Sequence, residues 1–509
     1  MAAAILSTPL SAEEISINTS ASMEVNAGHG NFAPYYIASN RHGTLTQANG
    51  VQMNLKAWKP LDMDRRFSWG VGAEGWAGMT DATDYMRYDA DAGEWHVNGQ
   101  RPPHVWLQQL YGEIKYRGVF LTVGLKEHES PLLNQELSSG DLVQSGNARP
   151  IPEVRVGFID FQNIPFTNGW VQIQGEIGYG KYTDNGWQKS HYSYYNSHVN
   201  LGGWYNYKRC FFRTKPSMPF SVTVGLQAAA QFAGITYWYD NKGKLYQTDN
   251  MSFKLIDLVD MLVIRPGDMY WKGNHVGAWD FNARYLFSSG HQLKAYFQWL
   301  WEDGSGIGKL NGWDGLWGLE WNAPQPGPVS SAVVEVMTFM NQSGPLHYDP
   351  EDISGATMNN GNADGADNYY NNTWYNGYAN YGMGIGSPMF PSPIYNLDGY
   401  TTAYVDNRFW GVSAGLNGLI TSGLEYRVLG SYRRFFGTHF VPRSNPVHNV
   451  SAMIEADWSI RQVPGLSLKA QVAFDSGNSP YGNQTGALVG IRYSGIFNCK
   501  SRTYTPCVL

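Results

Sequence analysis

Residues 281–302 read FNARYLFSSGHQLKAYFQWLWE. Before the Ser289–Gly290 turn, Phe281, Ala283, Tyr285 and Phe287 alternate with Asn282 and Arg284. After it, Leu293, Ala295, Phe297, Trp299 and Trp301 alternate with Lys294, Gln298 and Glu302. Successive side chains of a strand point to opposite faces, so each arm has one apolar and one polar face. An amphipathic helix needs a period near 3.6, which neither arm has. The same alternation returns in WVQIQGEIGYGK (170–181), FSVTVGLQAAAQF (220–232), LEYRVLGSYRR (424–434), SAMIEADW (451–458) and LSLKAQVAF (466–474). Such runs last about nine to twelve residues, enough for a tilted strand to cross a bilayer, whereas strands of soluble proteins average about five or six.

The connections carry a second signal. From residue 278 onward, short and long links alternate: 289–290 is tight, 302–312 longer, 322–328 compact with three Pro, and 342–407 very long. After the Thr421-Ser422-Gly423 turn, GTHFVPRSNP (437–446) reads as a longer loop, the link before Gly465 as short, and DSGNSPYGNQ (475–484) as a loop. Outer-membrane barrels have short turns at one end and long loops at the other. Extending the parity backward gives an all-β fold, a transmembrane outer-membrane β-barrel of about 18 antiparallel strands with both chain ends on the short-turn side. A large soluble sandwich or propeller is the alternative, and no blade-length repeat supports the propeller. Residues 1–12 read as the remnant of a signal peptide, 13–497 as a single barrel domain, and 498–509 as a C-terminal tail.

Composition narrows the function. Charged residues are 15% of the chain, against about 25% in ordinary soluble proteins, while aromatics also reach 15%. The net charge of −6 and the lack of a basic run argue against nucleic acid as a partner. Cys499 and Cys507 bracket a short segment and allow one optional bridge, while Cys210 stands alone. No GxSxG, HExxH, CxxC or phosphate-loop motif is present, and the histidines have no ligand-like spacing, so no metal and no cofactor is expected. The carboxylate pairs Glu302 with Asp303 and Glu455 with Asp457 imitate a glycosidase pair, but charged lumen residues are expected in any water-filled barrel.

By the same parity, the Asn/Tyr/Gly-rich stretch 359–382 and WEDGSGIGKLNGWDG (301–315) lie on the extracellular side. Flat aromatic faces suit sugar C–H surfaces, and Asn, Asp and Arg satisfy hydroxyls. The candidate polysaccharide-binding residues are therefore Trp301, Asp303, Trp313, Asp314, Tyr369, Tyr370, Asn371, Trp374, Tyr375 and Tyr378. Arg149 and Arg443 join them as partners for acidic sugars. The competing reading makes the aromatics loop packing or a membrane girdle and the arginines internal ion pairs.

Five segments resemble a known family. They are 134–180 (NQELSSGDLVQSGNARPIPEVRVGFIDFQNIPFTNGWVQIQGEIGYG), 32–45 (FAPYYIASNRHGTL), 301–321 (WEDGSGIGKLNGWDGLWGLEW), 369–395 (YYNNTWYNGYANYGMGIGSPMFPSPIY) and 452–458 (AMIEADW). Together they look like the capsule assembly Wzi family. The resemblance implies a barrel whose lumen is occluded by long extracellular loops and a non-enzymatic, lectin-like protein that holds capsular polysaccharide at the surface of a Gram-negative cell. It also implies outer-membrane lipids and capsule export machinery as partners, for a chain expected to be a monomer. A porin or uptake channel for small glycans is the alternative, and a membrane-bound glycan hydrolase a third. The enteric branch of the family carries a small periplasmic helical element, whereas the N-terminal region here reads as strands.

Overall fold

The alternating segments are staves of one wall. The computed structural model describes residues 15–262, 273–302, 306, 311–345, 347–348, 363–399 and 402–507, so the leader reading of residues 1–12 lies outside the described residues. Eighteen antiparallel strands close into a barrel. They are β1 (Ser16–His29), β2 (Gly50–Lys59), β3 (Phe67–Thr80), β4 (Val105–Tyr116), β5 (Val119–Leu125) and β6 (Pro152–Phe158), then β7 (Val171–Lys181), β8 (Trp204–Thr214) and β9 (Phe220–Phe232). The second half comprises β10 (Gly273–Leu286), β11 (Gln292–Glu302), β12 (Gly315–Asn322), β13 (Ser331–Thr338), β14 (Phe409–Thr421), β15 (Leu424–Gly437), β16 (Pro442–Ser459), β17 (Leu466–Gly477) and β18 (Gln484–Asn498). Each stave pairs with its sequence neighbour, and β1 closes the ring against β18, from Ser16 opposite Asn498 to His29 opposite Thr485.

The faces are inverted relative to a soluble fold. Gln227, Asp280, Gln298, Glu335 and Arg433 point into the lumen and are buried, whereas Val105, Leu319, Ile454 and Val472 point outward and are exposed. Only a lipid environment makes that exposure favourable. Aromatic belts mark both rims of the apolar band. Phe67, Tyr116, Phe220, Tyr285 and Trp458 sit at the short-turn ends of their strands, and Trp299, Trp317 and Trp410 at the long-loop ends. Amphipathic rings favour those two interfaces.

Several boundaries depart from the sequence reading. Strands run from seven residues in β5 and β6 to eighteen in β16, a wider range than the alternation suggested. The loop read at 437–446 is a hairpin instead. Pairing continues to Gly437 opposite Pro442, and Arg443 is pinned by both oxygens of Asp406 at 2.6 and 2.5 Å. The tail does not trail away, since Thr503–Pro506 returns to pair with Gly495–Asn498. Cys499 and Cys507 are both free thiols. Cys499 lies in the turn while the Cys507 N–H bonds Ser494 O, well up the hairpin, which separates them by roughly 15 Å at about 3.3 Å per residue. Among the described residues the helices are short, Tyr35–Ala38, Asn185–His191 and Asp257–Asp260, and none is long and apolar enough to cross a membrane.

The largest apolar cluster lies inside the wall. It joins Phe32 and Tyr35, Leu142 and Val143, and the rings of Tyr369, Tyr370, Tyr378, Phe390, Tyr404 and Phe409 to wall residues such as Tyr205 and Tyr296. Val472 tests the outward face, because it is 66% exposed in the middle of β17. Val472→Arg should lower the unfolding free energy in lipid vesicles by about 2–4 kcal/mol. A change below about 0.5 kcal/mol in a urea titration would show that this face does not meet the bilayer.

Candidate functional site

The loops that fill the lumen come from the long-loop end and are tied to the wall by carboxylates. On β13, Glu335 accepts hydrogen bonds from Ser138 Oγ (2.7 Å), the Ser139 N–H (2.8 Å), Tyr296 Oη (2.6 Å) and Ser413 Oγ (3.0 Å). Asp141, on the same 126–151 loop, accepts from Ser130 Oγ (2.7 Å), Gln227 Nε2 (3.0 Å) and Gln298 Nε2 (2.9 Å). A second plug segment, 365–406, is threaded beside the first. Tyr370 donates its hydroxyl to Leu142 O at 2.5 Å and its N–H to Glu302, and Tyr378 donates to Val143 O at 2.8 Å. The bonds of Ser138, Ser139, Gln227, Gln298 and the Tyr370 N–H tie loops to the wall, and the hydroxyls of Tyr370 and Tyr378 tie one loop to the other, so the plug and the staves form one unit.

This arrangement reassigns most of the predicted sugar-binding residues. Tyr369, Tyr370, Tyr375 and Tyr378 are buried, with their faces against other side chains. They are the packing of the plug, because a ring that fills the lumen also carries a hydroxyl able to satisfy a loop carbonyl. Asn371 is a brace that exchanges two hydrogen bonds of 2.8 Å with the Tyr404 backbone. Asp314 caps a turn, accepting the N–H groups of Met340, Asn341 and Gln342, and burial pushes its carboxyl up to about 6. Trp301 sits on the outer side of β11, its ring lying over Gly277, where a Cβ would come within 2.1 Å of it. Trp313 stacks on Trp299 at 5.7 Å and joins Trp317 in the outer aromatic belt. Trp313 is exposed and belongs to the membrane rim, whereas Trp301, although on the same side of the wall, is fully buried. Asp303 lies outside the described residues. Arg443 is neutralised by Asp406.

Two of the twelve remain open. Trp374 is half-buried and meets Trp238 edge-on at 5.4 Å. Arg149 is half-buried between the rings of Trp106 and Tyr381, at 4.6 and 4.9 Å from their centroids. The carboxylate pairs considered for hydrolysis are engaged as well. Glu302 accepts the Tyr370 N–H, and Glu455 is held by Arg427 at 3.0 Å.

The long-loop end also carries an aromatic cluster that the sequence reading missed. The hairpin Thr83–Asp89/Glu94–Gln100 places Tyr88 opposite Trp95, and Tyr195 completes a trio with centroid distances of 4.7 to 5.5 Å. All three rings are half-buried. The turn is set by Asp89, which accepts the N–H groups of Asp91 (2.9 Å) and Ala92 (3.1 Å), and those donors hold its carboxyl below the ordinary range. The hairpin is locked onto the plug through the Met86 N–H to Leu397 O at 2.8 Å. The tyrosine run HYSYYNSH (191–198) was the available signal, but nothing in it announces a partner a hundred residues away.

Beneath the trio, the His191 ring is stacked between Tyr85 (4.3 Å) and Trp187 (4.6 Å), with no hydrogen-bond partner on either nitrogen among the described residues. Burial, helped by Arg87, pushes its pKa down to about 4. A depressed histidine stabilises the fold fully above its ordinary value near 6.5, and that contribution is lost as pH falls toward 4. Buried Asp184, pushed up to about 6, works the other way. His191→Phe keeps the stack without the basic nitrogens. In hydrogen exchange over residues 185–201, the variant should lose less protection than the parent between pH 6.5 and 4; equal losses would remove His191 as the cause.

Comparison with known proteins supports the fold. No protein-family model matches the chain, and neither does any curated protein sequence. Among solved structures, it is similar to Wzi from Escherichia coli, described as an outer-membrane protein involved in group 1 capsule assembly and a carbohydrate-binding β-barrel. That match has a TM-score of 0.53 at 11% identity, over 93% of this chain and 83% of that one. OccAB2 of Acinetobacter baumannii matches with a TM-score of 0.47 at 9% identity, over 95% of this chain and 98% of the other. OprD of Pseudomonas aeruginosa matches with a TM-score of 0.43 at 10% identity, over 94% of each chain. At these identities the likeness concerns architecture alone. The chain has the fold of an outer-membrane β-barrel.

Proposed function

We propose that this protein is a plugged, non-catalytic barrel that holds a polysaccharide at the cell surface, with its long-loop end outward. The observation that carries the reading is the plug. Loops 126–151 and 365–406 fill the lumen with a packed aromatic core hydrogen-bonded to the wall, and the same loops support an outward cluster of half-open rings. A barrel built this way is suited to display rather than conduction. The likeness to a carbohydrate-binding barrel of capsule assembly agrees with it.

The mechanism is contact by avidity. Tyr88, Trp95, Tyr195 and Trp374 offer aromatic edges and faces on a rigid mount, with exposed Asp84 on the Tyr88–Trp95 face of the hairpin. Each contact with a sugar ring is weak, and a long polymer engages many barrels at once. Outer-membrane lipids surround the wall. Capsule export machinery is the partner that would deliver the polymer, and the barrel acts as a monomer.

Two measurements test the reading. In planar bilayers the purified protein should be nearly silent, and large stable currents would instead identify an uptake channel. On a glycan array, Trp95→Ala combined with Tyr195→Ala should weaken polysaccharide binding by roughly 5- to 150-fold, as two aromatic contacts of about 0.5–1.5 kcal/mol each require. Unchanged binding by the double variant would move the site elsewhere.

A further inference from the structure

We propose that Arg149 forms a carboxylate-recognition subsite at the mouth of the lumen, selecting a polysaccharide whose repeat contains a uronic acid. The inference rests on the glycan-holding reading above and names the chemistry of the glycan. Arg149 lies three residues before β6, and Trp106 is the second residue of β4. Tyr381 donates its hydroxyl to Thr183 O at 3.0 Å, just past the end of β7. All three positions are at the long-loop rim.

The guanidinium has its two faces covered by Trp106 and Tyr381. Its Nε makes a long contact of 3.5 Å with Gly43 O, and its terminal nitrogens meet no acceptor among the described residues. With both faces stacked, only the in-plane edge remains, and that edge matches a carboxylate through two parallel N–H···O bonds. Among the described residues no carboxylate fills this position. Nearby Glu153 is bound by Arg155 (2.8 Å) and His128 (2.5 Å), and Glu127 by Gln108 (2.9 Å) and Gln109 (2.8 Å). Burial draws the Arg149 pKa down to about 10, so the group is still a cation at neutral pH, partly desolvated and without a counter-ion.

Two other arginines show what an internal role looks like. Arg443 is closed off by both oxygens of Asp406. Arg433 is also sandwiched, between Tyr35 (3.9 Å) and Tyr481 (4.2 Å), but it is fully buried and bonds Asn449 and Ser451. Arg149 has the sandwich without the enclosure. Its direction separates the sources of anion. Trp106 stacks on buried Trp76 at 5.9 Å and 4°, which places the site on the lumen side of the wall, away from lipid phosphates.

Polygalacturonate and polyglucuronate, each with its carboxyl-reduced counterpart, are the probes, bound to full-length protein in detergent. The parent should bind the native polymers at least tenfold more tightly than the reduced ones, and Arg149→Met should abolish that preference. Arg149→Lys should restore only part of it, because an ammonium lacks the planar fork. Resistance to heat in detergent checks that the variants stay folded. Equal binding of native and reduced polymers overturns the inference while leaving the glycan-holding reading intact. Retention of the preference in a folded Arg149→Met also overturns it. Failure to bind any of the four polymers overturns it, and the silence or loss on the glycan array decides the broader reading separately.

Discussion

The pairing of β1 with β18 is the interaction on which the other features depend. In a bilayer every backbone N–H and C=O must find a partner within the protein, so a sheet there has to close. An eighteen-strand ring encloses far more space than its own inward side chains can fill. That room can hold water, or it can be filled by chain from elsewhere. Here the 126–151 and 365–406 loops fill it, and the inward side chains that would have lined a channel become hydrogen-bond partners for those loops.

Filling a polar container imposes a particular composition. A buried loop carries unpaired backbone groups that neither helix nor sheet satisfies, and each must be met locally. Tyrosine suits the task because one side chain both packs and donates. The hydroxyls of Tyr370, Tyr378 and Tyr404 end on the carbonyls of Leu142, Val143 and Tyr378, one loop bonding the next. Wall carboxylates such as Glu335 serve several donors at once, which makes them efficient anchors where space is short. The plug is therefore a core in the ordinary sense, built with the residues that a polar boundary demands.

The wall was legible from alternation because lipid on one side and a polar lumen on the other leave a period-two record in every stave. Trp301 shows how far that record reached. Alternation set it beside Phe297 and Trp299 on the apolar face, where the structure has it, and only a composition argument moved it to a sugar site. The same argument named Trp313, which is exposed in the outer aromatic belt, and the plug tyrosines, which are buried. Asn, Tyr and Gly make an open binding loop and a dry plug equally well, and no local pattern records whether a loop turns outward or back into the lumen. Arg149 and Arg443 looked alike for a related reason. What separates them is Asp406, thirty-seven residues from Arg443 in the chain. The Tyr88–Trp95–Tyr195 cluster likewise depends on a meeting between distant loops.

Because the plug is joined to the wall near the long-loop end, the two ends of the barrel differ in kind. Below it, a vestibule of about 290 Å³ is lined by Glu24, Arg41, Lys56, Glu74, Asp457 and Lys469, charges of both signs that a water-filled space tolerates. Above it, hairpin, plug and rim are knit by bonds such as Met86 to Leu397 and Asn380 Nδ2 to Arg149 O at 2.9 Å. The latter bond holds the backbone of Arg149, whose guanidinium edge is open. Rigidity at that point lowers the entropy that a weak, repeated contact must overcome, so under the proposed glycan-holding role the bonds that anchor the plug would also favour binding at the mouth.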